Sequence, residues 1–246
     1  MSKLKKILVF TATYNEIKNI KELILKIKKY NQHVDILIID DNSPDGTSKE
    51  VLRLKNETEK LFLITREKKL GLDSAHKLGY KFALKNEYDY FISMDADLSH
   101  DPKEIQNFLK YLSNYPFVIG SRYISGGECL MTGRRYLISK YGNLIIKKIL
   151  GININEFTTS YRGFNIKKLT NFDLDLVKTK GYSFFMGTVF EIYQRNFTIK
   201  EIPIIFKDRM KGSSKIPKLE IIRTLKNLIF LFIKKFFSGA PTKNRT

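Results

Sequence analysis

Asp95 and Asp97 lie two residues apart in ISMDADLSHD (92–101), at the end of an apolar run with the composition of a buried strand. Burying one carboxylate is costly, and a second beside it costs more unless a cation is present. Hard divalent cations such as Mg²⁺ and Mn²⁺ take oxygen ligands and link one or two carboxylates to substrate phosphates. The spacing therefore predicts that Asp95 and Asp97 form a metal bracket for a diphosphate. Helix capping by Ser99 or Asp101 ahead of Pro102 explains Asp101, but not Asp95 at the strand end. Two further polar clusters, TATYNE (11–16) and IDDNSPDGT (39–47), could each by itself be a helix start or a turn. The chain has no GxxxxGK[ST] and no GxGxxG after a strand, so a nucleotide here would rely on carboxylates and a bridging metal.

All three clusters must be positioned by the elements before them. The first half alternates strand and helix signals, as expected of a largely parallel sheet. Strands are predicted at 6–12, 34–41, 60–66, 88–95 and 116–122, with helices at 17–30, 47–57, 72–86 and 102–112. Thr47 and Glu50 offer a capping box for the second helix. Each cluster falls at the carboxyl end of a strand, the edge where open α/β sheets bind ligands. Residues 123–135 read as a glycine-containing loop and 136–150 as an amphipathic helix. The stretch 198–209 reads as a strand interrupted by Pro203 and so suits a sheet edge. Residues 218–237 read as a basic, apolar helix. One domain over 1–217 with a terminal extension over 218–246 is expected.

The 246 residues, 43% of them hydrophobic, suffice for a single large core. The single cysteine, Cys129, excludes a disulfide framework or a multi-cysteine zinc site and fits a reducing compartment. The apolar stretch 7–12 is too short for a signal peptide, and no window of about 18 uncharged apolar residues suggests a membrane span. The net charge of +19 is compatible with nucleic acid, an anionic membrane or phosphorylated substrates. Nucleic acid is disfavoured, because carboxylates gathered at strand ends repel phosphates without a metal and no nucleic-acid motif is present.

Taken together, TYNE, IDDNSPDGT, Leu70-Gly71-Leu72, MDADLSHDP and GSRY resemble the family 2 glycosyltransferases, from about Lys5 to Lys215. The resemblance is to dolichol- and polyprenol-phosphate mannose synthases in particular. It implies the GT-A nucleotide-diphosphosugar transferase fold, an α/β architecture with a mostly parallel central sheet flanked by helices, here with C-terminal amphipathic helices. It also implies GDP-mannose as donor and Mg²⁺ or Mn²⁺ as cofactor. By the same resemblance Thr13, Tyr14, Glu16, Asp40, Asp41, Asp95 and Ala96 surround the nucleotide sugar. Asp95, Asp97 and, more weakly, Ser99 match the metal motif. Arg122, Arg135 and Ser139 match positions around the diphosphate and the acceptor phosphate, and Arg209 and Lys215 match a basic pair closing over the phosphates. Asp97, Arg122, Arg135, Arg209 and Lys215 are the expected catalytic residues. The chain departs from the usual pattern at Asp73, where glycine is common, and at Glu156, where Asp leads TTSYRGF. Near GYSF, relatives carry an acid where this chain has Phe185, Met186 and Gly187.

A hydroxyl acceptor would need a general base, whereas a phosphate acceptor is already ionised and needs fixed positive charge instead. Arginines suit that task through their bidentate fork. The stripe Ile221, Ile222, Leu225, Leu228, Ile229, Phe232, Ile233 and Phe236, flanked by Arg223, Lys226, Lys234 and Lys235, fits a helix lying in a bilayer interface, or one packed on the domain. The expected activity is inverting transfer of mannose to a polyprenyl monophosphate by an enzyme peripheral on the cytoplasmic face of a membrane. The alternatives are glucose transfer to the same lipid and transfer to a glycan hydroxyl.

Overall fold

In the computed structural model, which describes residues 5–208 and 218–237, the apolar runs become the strands of one sheet. The strands are β1 (Ile7–Thr13), β2 (Asp35–Asp40), β3 (Leu61–Thr65), β4 (Tyr90–Ser93), β5 (Phe117–Ser121), β7 (Arg162–Asn165) and β8 (Ile199–Pro203). Their order is β3-β2-β1-β4-β7-β5-β8. Every pairing is parallel except those of β7, which is antiparallel to both β4 and β5. A small second sheet pairs β6 (Glu128–Cys129) with β9 (Ile205–Phe206).

Alternation along the strands sends side chains to two cores. Ile7, Val9, Ile36, Ile38 and Ile92 pack against α1 (Ile20–Tyr30), α2 (Thr47–Lys55) and α4 (Ile105–Leu112). Leu8, Phe10, Leu37, Ile39 and Phe91 pack against α3 (Leu72–Lys85), α5 (Gly133–Leu150), α6 (Ser183–Gln194) and α7 (Lys218–Phe237).

Several boundaries differ from the sequence-based expectation for local reasons. Helix α1 starts at Ile20 rather than 17, because Asn15 takes a φ of 62° and Asn19 and Ile20 both donate to the Glu16 carbonyl in a preceding turn. The Thr47–Glu50 capping box does not form. Asp45 accepts the Thr47 amide at 3.0 Å, the Thr47 hydroxyl accepts the Glu16 amide at 3.0 Å, and Glu50 pairs with Arg53. The stretch 102–112 begins as a 3₁₀ turn, Pro102–Glu104. The loop expected over 123–135 contains β6, and α5 begins at Gly133. Strand β8 lies at the sheet edge and ends at Pro203, as the missing proline N–H requires.

Helix α7 lies against α5 and α6. Leu228 and Leu231 enter the core, Lys234 pairs with the buried Glu191 of α6, and Lys235 Nζ donates to the Leu150 carbonyl at 2.8 Å. Its opposite side, including Ile222, Leu225, Ile229 and Phe236, is exposed. No helix among the described residues is long and apolar enough to cross a membrane.

Candidate active site

Because β1, β2, β4 and β5 run parallel, their carboxyl ends share one edge. The antiparallel direction of β7 delivers the segment before it, 156–161, to that same edge, with Arg162 opposite Ser93. Gly163 makes this strand possible: a Cβ there would lie 2.9 Å from Leu112 Cδ1 and 3.0 Å from Phe108 Cδ1. Arg162, fully buried, ties the segment down by donating to the carbonyls of Thr159, Phe185 and Phe157 at 2.6–2.8 Å. Burial pulls its pKa down to about 9, so it stays charged at neutral pH.

At the end of β4, Asp95 is the more open of the two aspartates, its side chain 36% exposed. Its Oδ1 accepts the Ser160 hydroxyl at 2.6 Å, and its main-chain N–H donates to His100 Nδ1 at 3.1 Å. That donation places the imidazole proton on Nε2, which faces Thr159 Oγ1 at 3.3 Å. Burial holds His100 below its usual pKa, so the ring is neutral and its 3.8 Å approach to Asp95 Oδ2 is not an ion pair. Ala96 is buried and offers only its main chain. Asp97 is buried, and its Oδ1 accepts both the amide and the hydroxyl of Ser99, at 3.1 and 2.6 Å. Leu98 between them takes a φ of 64°, a left-handed conformation that costs a leucine about 1–3 kcal/mol and is commonest at functional sites. Ser99, expected as a weak metal ligand, is fully buried, and its hydroxyl donates to Asp97 and orients that carboxylate.

The nucleotide-facing expectations divide. Asp40 is fully buried and accepts four hydrogen bonds, from the Thr13, Ser43 and Ser48 hydroxyls and the Ser43 amide, at 2.6–2.9 Å. Asp41 pairs with Arg66 and accepts the Leu70 and Gly71 amides at 3.2 Å. Internal donors occupy oxygens of Asp40 and Asp41, and the Thr13 hydroxyl is itself one of those donors, so all three residues help to organise this edge. Arg66 extends that role to the start of α3 through Ser74 Oγ at 2.6 Å and the Gly71 carbonyl at 3.0 Å. Tyr14 is exposed with the Lys69 ammonium 3.9 Å from its ring centroid, and the Glu16 carboxylate accepts from the Asn19 side-chain Nδ2 at 2.8 Å.

On the basic side, Arg122 is buried at the end of β5 and meets Glu156 in a two-point pair, Nε–Oε2 at 2.7 Å and Nη2–Oε1 at 2.8 Å. Burial alone would push the Glu156 carboxyl up, but the Arg122 charge and the hydrogen bonds of Arg122 and Thr158 hold it below the usual value. Expected to grip phosphate directly, Arg122 is thus half committed to the protein, which fixes the plane of its guanidinium. Arg135 is more open: Nη1 reaches Asp208 at 3.4 Å and Nε has no hydrogen-bond partner among the described residues. Ser139, one turn along α5, accepts the Tyr123 hydroxyl at 2.8 Å. Arg209 and Lys215 lie outside the described residues.

Sequence reading missed His100, Ser160, Arg66 and Arg162, and treated Glu156 only as a departure. The aromatic and β-branched flanks of Arg162-Gly163 carry a weak strand signal. A histidine five residues after the first aspartate carries none.

The site fits a hard divalent cation. Two carboxylates separated by one residue sit at the edge, and among the described residues one Asp95 oxygen accepts no hydrogen bond and no third His, Cys, Asp or Glu joins a metal-holding group there. Such a pair leaves the remaining coordination positions to waters and to a substrate diphosphate.

Comparison with known proteins agrees with this arrangement. Residues 8–172 match the glycosyl transferase family 2 domain. An undecaprenyl-phosphate mannosyltransferase of Micrococcus luteus is 33% identical over 85% of this chain and 87% of its own length. A polyprenol monophosphomannose synthase of Mycolicibacterium smegmatis is 33% identical over 85% of this chain and 80% of its own. The glucosyl-3-phosphoglycerate synthase of Mycobacterium tuberculosis, solved with Mn²⁺, UDP and glucosyl-3-phosphoglycerate, superposes with a TM-score of 0.66 at 16% identity, covering 97% of this chain and 82% of that one. A Pyrobaculum calidifontis mannosyltransferase bound to GDP-Man and Mn²⁺ gives 0.61 at 18% identity, covering 98% and 67%. The mostly parallel sheet is that of the GT-A glycosyltransferases, and the chain is a glycosyltransferase belonging to glycosyl transferase family 2.

Proposed function

We propose that the protein transfers mannose from GDP-mannose to a polyprenyl monophosphate, with inversion at the sugar and with Mg²⁺ or Mn²⁺ as cofactor. The observation that carries this reading is the meeting, at one sheet edge, of the Asp95–Asp97 pair with the buried Arg122–Glu156 pair. The relatives named for polyprenol-phosphate mannosylation, 33% identical over most of both chains, support the same acceptor and sugar.

When bound, the metal would neutralise negative charge building on the departing diphosphate. Asp95 and Asp97 would hold it, the first fixed by Ser160 and His100 and the second by Ser99. Tyr14 and Glu16 flank the nucleotide. The acceptor phosphate, ionised at neutral pH, attacks without a general base and must be held beside another anion. Arg135, whose Nε has no hydrogen-bond partner among the described residues, and Ser139 supply that holding, Arg122 adds fixed positive charge, and Arg209 and Lys215, outside the described residues, are assigned to the phosphates by the family resemblance alone. Position 187 cannot hold a base: a Cβ there would sit 2.0 Å from Thr179 Oγ1.

In this reading residues 1–217 are the catalytic domain and 218–246 the membrane-interface extension. Helix α5, which carries Arg135 and Ser139, also exposes Ile138, Tyr141 and Ile145, and α7 beside it exposes Leu225, Ile229 and Phe236. The acceptor's phosphate and its apolar tail are thus addressed by one helix. Basic residues near an anionic surface add roughly 1 kcal/mol each. The double variant Ile145→Glu, Ile229→Glu should lose at least about tenfold in sedimentation with anionic vesicles and raise the KM for a long-chain acceptor. Transfer to a short, water-soluble prenyl phosphate separates lost docking from a damaged site. Substitution is the cleaner test than removing α7, because removal would uncover the core around Leu228 and Leu231.

The activity itself is tested by offering radiolabelled GDP-mannose, UDP-glucose and UDP-N-acetylglucosamine with polyprenyl phosphate. Label should enter the organic phase from GDP-mannose, and entry only from a UDP-sugar would overturn the donor assignment.

A further inference from the structure

We propose that His100 is a positioning residue that couples the metal-binding carboxylates to the acceptor-side arginine, an inference that rests on reading Asp95 and Asp97 as the metal bracket. An unbroken run of hydrogen bonds joins the two halves of the site. The Asp95 amide donates to His100 Nδ1 at 3.1 Å, and His100 Nε2 meets Thr159 Oγ1 at 3.3 Å. The Thr159 amide donates to Glu156 Oε1 at 3.1 Å, and Glu156 holds Arg122 through both oxygens.

The ring is suited to this by more than its two nitrogens. It is fully buried between Tyr161, 4.9 Å away centroid to centroid, and Phe206 at 5.3 Å. Phe206 in turn lies 5.1 Å from the Arg122 guanidinium, so one aromatic ring contacts both the imidazole and the arginine. A flat side chain with an acceptor at one end and a donor at the other is what the gap between strand β4 and segment 156–161 requires. Without it, Asp95 would keep its Ser160 contact but lose control of its main chain, and Thr159 would lose the partner on its far side. Partners of this kind, one step removed from a metal, typically alter metal affinity or activity by about 10–100-fold when lost.

The two nitrogens can be tested separately in the full-length chain. Calorimetric titration of Mn²⁺ in the presence of GDP reads the Asp95 end, and kcat at saturating Mn²⁺ reads the Arg122 end. His100→Leu should weaken Mn²⁺ binding about tenfold and lower kcat about tenfold. His100→Asn places an amide oxygen near the Nδ1 position, and should restore Mn²⁺ affinity to within about threefold while kcat stays low. His100→Gln reaches the Nε2 position and should do the reverse. A folding defect would move both readouts together, and if His100→Leu does not fold, the two amide variants carry the comparison. Equal losses in Asn and Gln, or a folded Leu variant with wild-type affinity and kcat, overturn the coupling alone. A wild-type chain that binds no Mn²⁺ beside GDP overturns the metal bracket, and the coupling with it.

Discussion

Asp97→Asn should give a folded protein whose sugar transfer falls by at least about 100-fold, roughly 2.7 kcal/mol in the barrier. The amide keeps the shape of the carboxylate and an oxygen to accept the Ser99 amide and hydroxyl, so the turn that contains Leu98 survives. It removes the negative charge and turns an N–H₂ donor toward the place a cation would occupy. The loss should therefore appear in turnover and not in melting temperature. Near-normal turnover at limiting Mg²⁺ would rule out Asp97 as a metal ligand.

Arg122→Ala should be as damaging, for two separable reasons. Glu156 is fully buried, and removing one partner of a buried ion pair destabilises by about 3–5 kcal/mol because the other charge is left uncompensated. Turnover also loses a fixed positive charge next to the phosphates. The double variant Arg122→Met, Glu156→Leu removes both charges and should recover most of the stability but little of the activity. Its acid behaviour gives a further check. The folded chain holds the Glu156 carboxyl below its usual 4.5, so the pair's stabilisation is fully present above that value and is lost as pH falls through the lower folded value. The wild type should lose stability more steeply than the double variant on acidification below about 4.5. Parallel acid titrations of the two by denaturant unfolding would show whether it does.

The elements that place the acidic clusters were legible because their signals are local. The runs that became β1, β2 and β4 are apolar stretches, the last two leading into aspartates, and the helical periods of α3 and α7 matched the observed elements to within a residue. Strand β7 was not legible, since an arginine followed by a glycine argues against a strand until the three carbonyls around Arg162 are known. Helix α6 was missed for the opposite reason: residues 183–192 are buried all round, so no polar face marks its period. In the site, residue types pointed to the candidate carboxylates, but not to which of them internal donors already occupy. Asp40 and Asp95 look alike in sequence. They differ because three hydroxyls and an amide converge on the first, whereas the second, at the open end of β4, keeps an oxygen toward the edge.

The central claim is that the sugar is transferred to a phosphate oxygen, and the ³¹P spectrum of the lipid product tests it most directly. A free prenyl phosphate is a monoester whose second ionisation lies near pH 6, so its resonance moves between about pH 4 and 8. Glycosylation at phosphate makes a diester with no ionisation in that range. The product formed from GDP-mannose should give a ³¹P resonance that stays fixed across it. A mannosylated product whose phosphorus still titrates near pH 6 would place the sugar on another atom, and would contradict the account.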